Sequence, residues 1–416
     1  MIARRARLCK LVTAALLGAG LAGCVVAGID MDALRRIPGQ PAPGSGMAAG
    51  YATGNAAPAQ APFPNVGGGG QPFGQAGGEI IGRGPVRVAL LLPLSGDPEA
   101  TRMGQSMANG ARLAMSFIEA NPNIADNLSI ALRDTGTAPG GAALAARAAI
   151  GEGASLVLGP LLGDQVPAAS AVTRQAGVPM IAFASNGAAA GPGVYLLSVL
   201  PEVEVRRGLA FAKAQGKMRV AGLFPGDAFG SVYKTAFEQG VFELGLTMST
   251  SQSFGTDAEL QAATRQLARN KGGFDALYLP DAQSAPKVLA ALAAQGVRPG
   301  LVVGSTQWNG MPAGPPLAGA VFPAVDDAGL KAITPEYVQR FGSPPHPLAT
   351  IAYTAVILVN NSKLSMSNPR FDRALLTNQS GFTGRDGVFR FLADGRSQYA
   401  LVMRQVGGGV VDAARL

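Results

Sequence analysis

The chain is poor in the side chains that catalysis, cross-linking and metal binding most often use. Its 416 residues include two cysteines, one histidine and one tryptophan, and only 14% are charged. The cysteine and histidine positions offer no ligand spacing typical of zinc, and no run resembles a calcium loop. The single histidine, His346, lies between prolines, which is a poor setting for a general base. We therefore expect a protein that is not an enzyme and that carries no metal or cofactor.

The N-terminal 24 residues have the layout of a bacterial secretory signal. Four basic residues precede an apolar run at 11–21, and small residues follow it. That run is shorter than the ~20 residues that a membrane-spanning helix needs. The closing Leu21-Ala22-Gly23-Cys24 resembles the lipobox of bacterial lipoproteins, which implies cleavage before Cys24 and diacylation of its thiol. An ordinary signal peptide with a chance cysteine is the alternative.

The location and charge of the mature chain follow from this prediction. The resemblance to lipoproteins implies a lipid anchor on the periplasmic side of a membrane. Val25 follows Cys24, and the absence of aspartate there favours the outer over the inner membrane. Cys9 leaves with the signal, so we expect no disulfide in the mature chain. Because the signal also removes four basic residues from a net charge of +8, the remaining charge is mild and gives no case for a nucleic-acid partner.

Residues 24–84 are rich in Gly, Pro, Ala and Gln, with four successive glycines at 67–70. Such a composition buries too little apolar surface to offset its ordering entropy, so we expect a flexible tether. A phosphate-binding loop is disfavoured at 67–70, because no strand precedes it and no Gly-Lys-Ser/Thr ending follows.

Beyond residue 85, short apolar runs alternate with segments of helical periodicity, which predicts an α/β fold with parallel sheets flanked by helices. The alternation restarts after Pro201, which indicates two similar lobes. The expected strands lie at 86–92, 128–132, 156–158, 179–183, 220–224, 247–254, 276–279 and 301–303.

Several motifs give this pattern a family resemblance. Leu-Leu-Leu-Pro-Leu-Ser-Gly at 90–96, then Gly104, Gly110 and Asp134, and finally residues 381–395 occur in the order typical of type I periplasmic binding proteins of the leucine-binding group. The resemblance implies two lobes joined by three crossovers, near Pro201, near Gly310 and within 365–382. Lobe 1 would comprise 85–200 and 320–370, and lobe 2 would comprise 201–319 and 371–416.

Within that group, Gly-Pro-Leu-Leu at 159–162 and the segment 179–186 look similar to outer-membrane lipoproteins that activate penicillin-binding proteins. This resemblance implies a class A penicillin-binding protein as partner and a role in peptidoglycan synthesis. The long helical-repeat region of the enterobacterial members is missing, and the tether stands in its place. The alternative is a receptor that delivers amino acids or a similar small solute to an ABC permease.

Ligands of open parallel sheets meet the loops that follow the strands' carboxyl ends. Each candidate also has a plainer interpretation: Ser95 could close a turn, Asp164 could cap the following helix, and Asp281 could be a turn or cap residue. Ser185 and Asn186 are common loop residues, and Trp308 could be packing. The candidate ligand-cleft residues are Ser95, Gly96, Asp164, Ser185, Asn186, Phe229, Asp281, Thr306 and Trp308.

The resemblance also implies a clamp for a free amino acid, which is incomplete here. The family has a hydroxyl-rich segment after the third strand, where this chain has Leu162-Gly163-Asp164. The family has an acidic residue after the strand matching 301–303, where this chain has Ser305-Thr306-Gln307. Ser185 keeps the hydroxyl of the fourth loop. Half of an amino-acid clamp is therefore predicted.

Overall fold

The computed structural model describes residues 78–269 and 273–416, which contain two open sheets and a small third sheet. The predicted signal peptide, Cys24 and the tether up to residue 77 lie outside the described residues. The end of the predicted tether is an exception. Glu79–Ile81 forms strand β1, because two adjacent isoleucines favour an extended edge strand over a linker.

The first lobe is built on a six-stranded sheet in the order β1-β3-β2-β4-β5-β6, in which only β1 runs antiparallel to its neighbour. Its strands were predicted as continuous apolar runs, and such runs are typical of parallel strands covered on both faces. The elements are β2 (Val86–Leu92), α1 (Pro98–Ala120), β3 (Leu128–Asp134), α2 (Gly141–Gly151), β4 (Leu156–Leu158), α3 (Val166–Gln175), β5 (Met180–Ala182) and β6 (Val194–Leu196).

The second lobe is built on a seven-stranded sheet in the order β16-β15-β11-β10-β9-β7-β8. β7 to β11 pair in parallel, and β15 and β16 add an antiparallel edge. The elements are α4 (Pro201–Ala214), β7 (Arg219–Pro225), α5 (Ala228–Glu243), β8 (Thr247–Phe254), α6 (Asp257–Arg269), β9 (Ala276–Tyr278), α7 (Ala285–Ala294), β10 (Leu301–Val303), β11 (Val321–Ala324), β15 (Leu401–Gln405) and β16 (Val410–Arg415).

The remaining elements return to the first lobe. The three-stranded antiparallel sheet β12-β13-β14 places Phe389, Phe391 and Tyr399 in the first lobe's core. The elements are α8 (Ala328–Phe341), α9 (Ala349–Asn360), α10 (Ser362–Ser365), α11 (Arg373–Leu376), β12 (Phe382–Gly384), β13 (Gly387–Phe391) and β14 (Ser397–Tyr399).

The two-lobed α/β fold is confirmed, but two of its crossovers lie elsewhere than predicted. The first precedes Pro201, as expected. The second crossover follows β11 and not Gly310, because residues 321–324 form a strand of the second sheet. The sequence did not predict this strand, since it contains Pro323 and proline disfavours interior strands. The third crossover is at Ala400, between β14 and β15, and not within residues 365–382 as predicted. Segment 371–399 therefore packs on the first lobe, and β11 belongs to the second.

Helices α1 and α9 form a tight helix–helix contact that covers one face of the first sheet. A β-carbon at Gly110 of α1 would lie 2.3 Å from the carbonyl oxygen of Ala349, so only glycine permits this approach. Met107, Ala111 and Val356 are fully buried in the same core. None of the helices within residues 78–269 and 273–416 is long and apolar enough to cross a membrane.

Candidate functional site

The loop after β2 is fixed by Asp134 at the end of the neighbouring β3. Its carboxylate accepts hydrogen bonds from the Ser95 hydroxyl (2.5 Å) and from the backbone N–H groups of Leu94 and Gly136 (2.8 Å each). Burial acts to raise the pKa of Asp134, but these hydrogen bonds hold it below its ordinary value. Gly96 has a φ of +99°, which glycine adopts without strain. Ser95 and Gly96 therefore form a rigid turn at the carboxyl edge of the first sheet.

The loop after β4 is held by the buried side chain of Gln165. Its amide donates to the carbonyl oxygens of Ala138 (2.9 Å) and Gly136 (3.1 Å), so it ties the loop after β4 to the loop after β3. Asp164 precedes it in a 3-10 turn, with an exposed side chain. The N-cap position of α3 is Gln165 and not Asp164. Asp164 thus lies at the same edge as Ser95 and is accessible to a ligand.

Ser185 and Asn186 follow β5, and both side chains are exposed. The Asn186 side chain accepts a hydrogen bond from the backbone N–H of Ala188 (3.1 Å) and begins a short 3-10 turn. A β-carbon on the next residue, Gly187, would lie 2.6 Å from Oε1 of Glu202, which belongs to the first turn of α4. The Ser185 loop therefore touches the helix that begins the second lobe.

In the second lobe, Asp227 and Phe229 follow β7. Asp227 is the N-cap of α5 and accepts from the backbone N–H of Gly230 (2.8 Å). Phe229 is half-buried, and its ring centroid lies 4.5 Å from that of Tyr233, one turn further along α5. Phe229 thus offers part of its ring to solvent at the carboxyl edge of the second sheet.

A cavity of about 370 Å³ opens where β7, β8 and β9 end. Asp281 lies in its wall and accepts from the backbone N–H of Ser284 (2.8 Å), so this residue caps a turn as its plainer interpretation predicted. Asp227, Asp257 and Lys287 also line the cavity, and Lys287 pairs with Asp257 at 3.7 Å. The wall is polar, with carboxylates in excess of cations. In the part of the chain that the structure describes, no group of three or more His, Cys, Asp or Glu is arranged to hold a metal ion.

The loop after β10 rests on a buried carboxylate that the sequence analysis missed. Glu204 of α4 is 3% exposed, and it accepts from the backbone N–H of Thr306 (2.9 Å), the Thr306 hydroxyl (2.8 Å) and the Tyr233 hydroxyl (3.1 Å). Burial raises the pKa of Glu204 to about 7, although the hydrogen bonds from Thr306 and Tyr233 act to lower it. In the sequence, Glu204 resembles any acidic residue in the first turn of a helix.

Trp308 does not line a cleft in this structure, which corrects the sequence-based candidate. Its side chain is 0% exposed and belongs to the second lobe's core, together with Leu277, Leu279 and Phe322. Gly304 makes this position possible, since a β-carbon there would lie 2.2 Å from the indole ring. The indole therefore packs beneath the loop after β10 and offers no stacking surface to a ligand.

Comparison with known proteins agrees with this architecture. The family model described as periplasmic binding protein matches residues 85–374. A putative branched-chain amino acid ABC transporter from Rhodospirillum rubrum has a TM-score of 0.66 at 19% identity, covering 77% of this chain and 97% of that one. A search of curated protein sequences finds no significant match.

Two further solved structures contain ligands. An ABC transporter substrate-binding protein from Desulfitobacterium hafniense in complex with Leu has a TM-score of 0.58 at 19% identity, covering 79% of this chain and 99% of that one. A solute binding protein of an ABC transporter from R. palustris in complex with benzoate has a TM-score of 0.54 at 19% identity, covering 80% and 98%. These identities establish a common fold and no shared ligand. The match over residues 85–374 and the two-lobed architecture show that the chain belongs to the periplasmic binding protein family.

Proposed function

We propose that this protein is a periplasmic receptor that holds a small solute between its two lobes and delivers it to an ABC permease. The supporting observation is the two-lobed fold with crossovers before Pro201, after β11 and at Ala400, which aligns with transport receptors along nearly their whole length. Loops at the carboxyl edges of both sheets supply the polar groups of the site. Closure of the lobes about the crossovers would bury the ligand.

The ligand that fits these loops best is a small carboxylate-bearing solute. Leucine and benzoate, the ligands named for two structural neighbours, share a carboxylate and an apolar body. The exposed Ser185 hydroxyl provides a donor for a carboxylate on the first lobe. Phe229 provides apolar surface on the second lobe, and Asp281 provides an acceptor for an amino group.

The sequence also supports a lipid anchor through Cys24. Activation of a class A penicillin-binding protein rests on the resemblance of the Gly-Pro-Leu-Leu motif and segment 179–186, on the lipobox and on the incomplete amino-acid clamp. The transport receptors among the structural neighbours favour the solute receptor instead.

The proposal is tested by calorimetric titration of the full-length chain, purified in a non-ionic detergent and freed of bound solute by unfolding and refolding. L-leucine, L-isoleucine and benzoate are the probes. We expect saturable binding of at least one probe, and a ligand at a hundred times its dissociation constant should stabilise the fold by about 2.7 kcal/mol.

Two variants separate the predicted site from the rest of the surface. Ser185→Ala should weaken probe binding, whereas Ser343→Ala, which changes an exposed serine in the loop after α8, should leave it unchanged. If no probe binds the refolded wild-type protein, and a purified class A penicillin-binding protein polymerises glycan faster in its presence, the receptor proposal is wrong and the activator function replaces it.

A further inference from the structure

The side chain of Glu204 connects segments of the second lobe that are far apart in the sequence. We propose that Glu204 is the positioning residue for the second lobe's half of the ligand site, an inference that rests on the proposed receptor function. Its carboxylate fixes Thr306 directly and reaches Phe229 through Tyr233. Thr306 and Phe229, together with Asp281, are the ligand candidates accessible at the carboxyl edge of this sheet.

The contacts of Glu204 are specific for a carboxylate. One oxygen accepts from the backbone N–H of Thr306 and from the Tyr233 hydroxyl, and the other accepts from the Thr306 hydroxyl. Both the backbone and the side chain of Thr306 are therefore held by one residue. Tyr233 is itself buried, and its ring contacts Phe229, so the same carboxylate also orients the wall after β7.

The location of Glu204 makes this arrangement informative about lobe movement. It lies in the first turn of α4, directly after the first crossover, while Thr306 follows β10, the central strand of the seven-stranded sheet. A displacement of α4 relative to β10 would therefore move the 3-10 turn at Thr306–Trp308. The ligand loop and the crossover are mechanically linked through one buried side chain.

The protonation state of Glu204 sets what Thr306 can offer a ligand. An ionised carboxylate only accepts hydrogen bonds, so the Thr306 hydroxyl must give its proton to Glu204 and can only accept from a ligand. A protonated Glu204 can donate to the same hydroxyl, which is then free to donate to the ligand. Since the pKa of Glu204 is near 7, both forms are populated at neutral pH.

No neighbouring cation in the described part of the chain neutralises this carboxylate. On α4 itself, Arg207 pairs with Asp412 and Arg206 with Glu243. Arg404 of β15, the strand packed against α4, pairs with Asp327.

The remaining elements packed against α4 present tyrosines and no charged group to Glu204. β10 and β11 carry no ionisable side chain. Tyr233 of α5 and Tyr278 of β9 are the ionisable groups that face Glu204, and burial together with the nearby carboxylate raises the pKa of both. A transition of the turn near neutral pH is thus attributable to Glu204.

Trp308 gives a direct test, because it is the only tryptophan in the chain and lies in the same 3-10 turn as Thr306. The experiment follows tryptophan emission of the full-length protein from pH 5.5 to 8.5 without ligand. We expect one transition with a midpoint near 7 in the wild type. Glu204→Gln, which mimics the protonated form, should show emission that does not change with pH and that equals the wild-type emission at the lowest pH. Glu238→Gln, which changes an exposed acid of the same lobe, should titrate like the wild type.

A flat wild-type profile, or a transition that persists in Glu204→Gln, would overturn the inference. If Glu204→Gln does not fold, Thr306→Val replaces it: loss of one hydrogen bond to the carboxylate should move the midpoint to higher pH, and an unchanged midpoint would count against the inference. With leucine as probe, Glu204→Gln should alter the dissociation constant by roughly tenfold. Failure of leucine to bind the wild type would count against the proposed receptor function. The emission profile is measured without ligand and therefore tests the role of Glu204 independently.

Discussion

Arg396 and Glu202 form an ion pair across the first crossover, with Nη1 of Arg396 3.5 Å from Oε1 of Glu202. Arg396 lies in the turn between β13 and β14, on the first lobe, and Glu202 lies in the first turn of α4, on the second. Asp394 holds the same guanidinium at 2.7 Å. The pair therefore restrains α4 relative to the first lobe, next to the loop that carries Ser185.

Replacing Arg396 with Ala should loosen the first turn of α4 more than it destabilises the protein. The side chains of Arg396 and Glu202 are 42% and 31% exposed, so solvent screening limits the loss to less than about 1 kcal/mol. Hydrogen exchange of the amides in α4 should accelerate. Arg102→Ala, which breaks an exposed pair within α1, is the control. Unchanged exchange in α4 would contradict a restraining role.

Stability should fall as pH rises between the two pKa values of Glu204. Its pKa is about 7 in the fold and near 4.5 when unfolded, so between these values the folded state holds a proton that the unfolded state has released. The contribution is present in full below pH 4.5 and is lost by about pH 7, and it amounts to roughly 3 kcal/mol.

Urea unfolding at half-unit intervals from pH 4.5 to 8 measures this effect as the difference between wild type and Glu204→Gln. The difference isolates Glu204 from other groups, such as Asp386, whose pKa burial also raises. A wild-type curve that runs parallel to that of the variant would show that Glu204 titrates normally.

Gly110→Ala should be strongly destabilising, whereas Gly151→Ala should be neutral or stabilising. The new β-carbon at Gly110 meets the backbone of α9 at 2.3 Å, and overpacking of this kind costs about 1–3 kcal/mol. Gly151 ends α2 with no atom within 4 Å of a β-carbon, so alanine should gain up to about 1 kcal/mol from helix propensity. Thermal unfolding of both variants checks the order, and equal midpoints would disprove the close contact.

Cys24→Ala should release the protein from the membrane fraction, because it removes the thiol that the lipobox prediction lipidates. Cell fractionation followed by detergent phase partitioning measures the change. Cys9→Ala, which alters the predicted signal peptide outside the lipobox, should keep the wild-type distribution. Retention of a processed Cys24→Ala chain in the membrane would refute anchoring at this residue.

Strands were predictable where the sequence has a continuous run of apolar residues. Residues 88–92 and Leu156–Leu158 are unbroken apolar runs, and these patterns depend on nothing beyond their own neighbours. β11 was not predictable, because Pro323 counts against a strand and the pairing with β10 and β15 that stabilises it is tertiary. β14 and β15 read as one continuous strand, and the change of lobe at Ala400 depends on tertiary packing.

The candidate loops were found from strand ends alone, but the chemistry within them was not. Trp308 follows a strand like the other candidates, and its burial depends on the space that Gly304 leaves. The role of Glu204 was not predictable from local sequence, because its partners Tyr233 and Thr306 lie 29 and 102 residues away. Local patterns predict where a loop emerges, whereas the partner of a buried polar group is decided by the packing of distant helices.

The single-residue link at Ala400 has a consequence for synthesis of the chain. All strands of the six-stranded sheet are available once residue 196 has left the ribosome, but the seven-stranded sheet is incomplete until residues 401–415 follow. Until then, β11 is an unpaired edge, and unpaired edges pair readily with other chains. A premature stop codon after residue 400 would therefore leave the six-stranded sheet complete, whereas the second sheet would expose β11 as an edge that can nucleate aggregation.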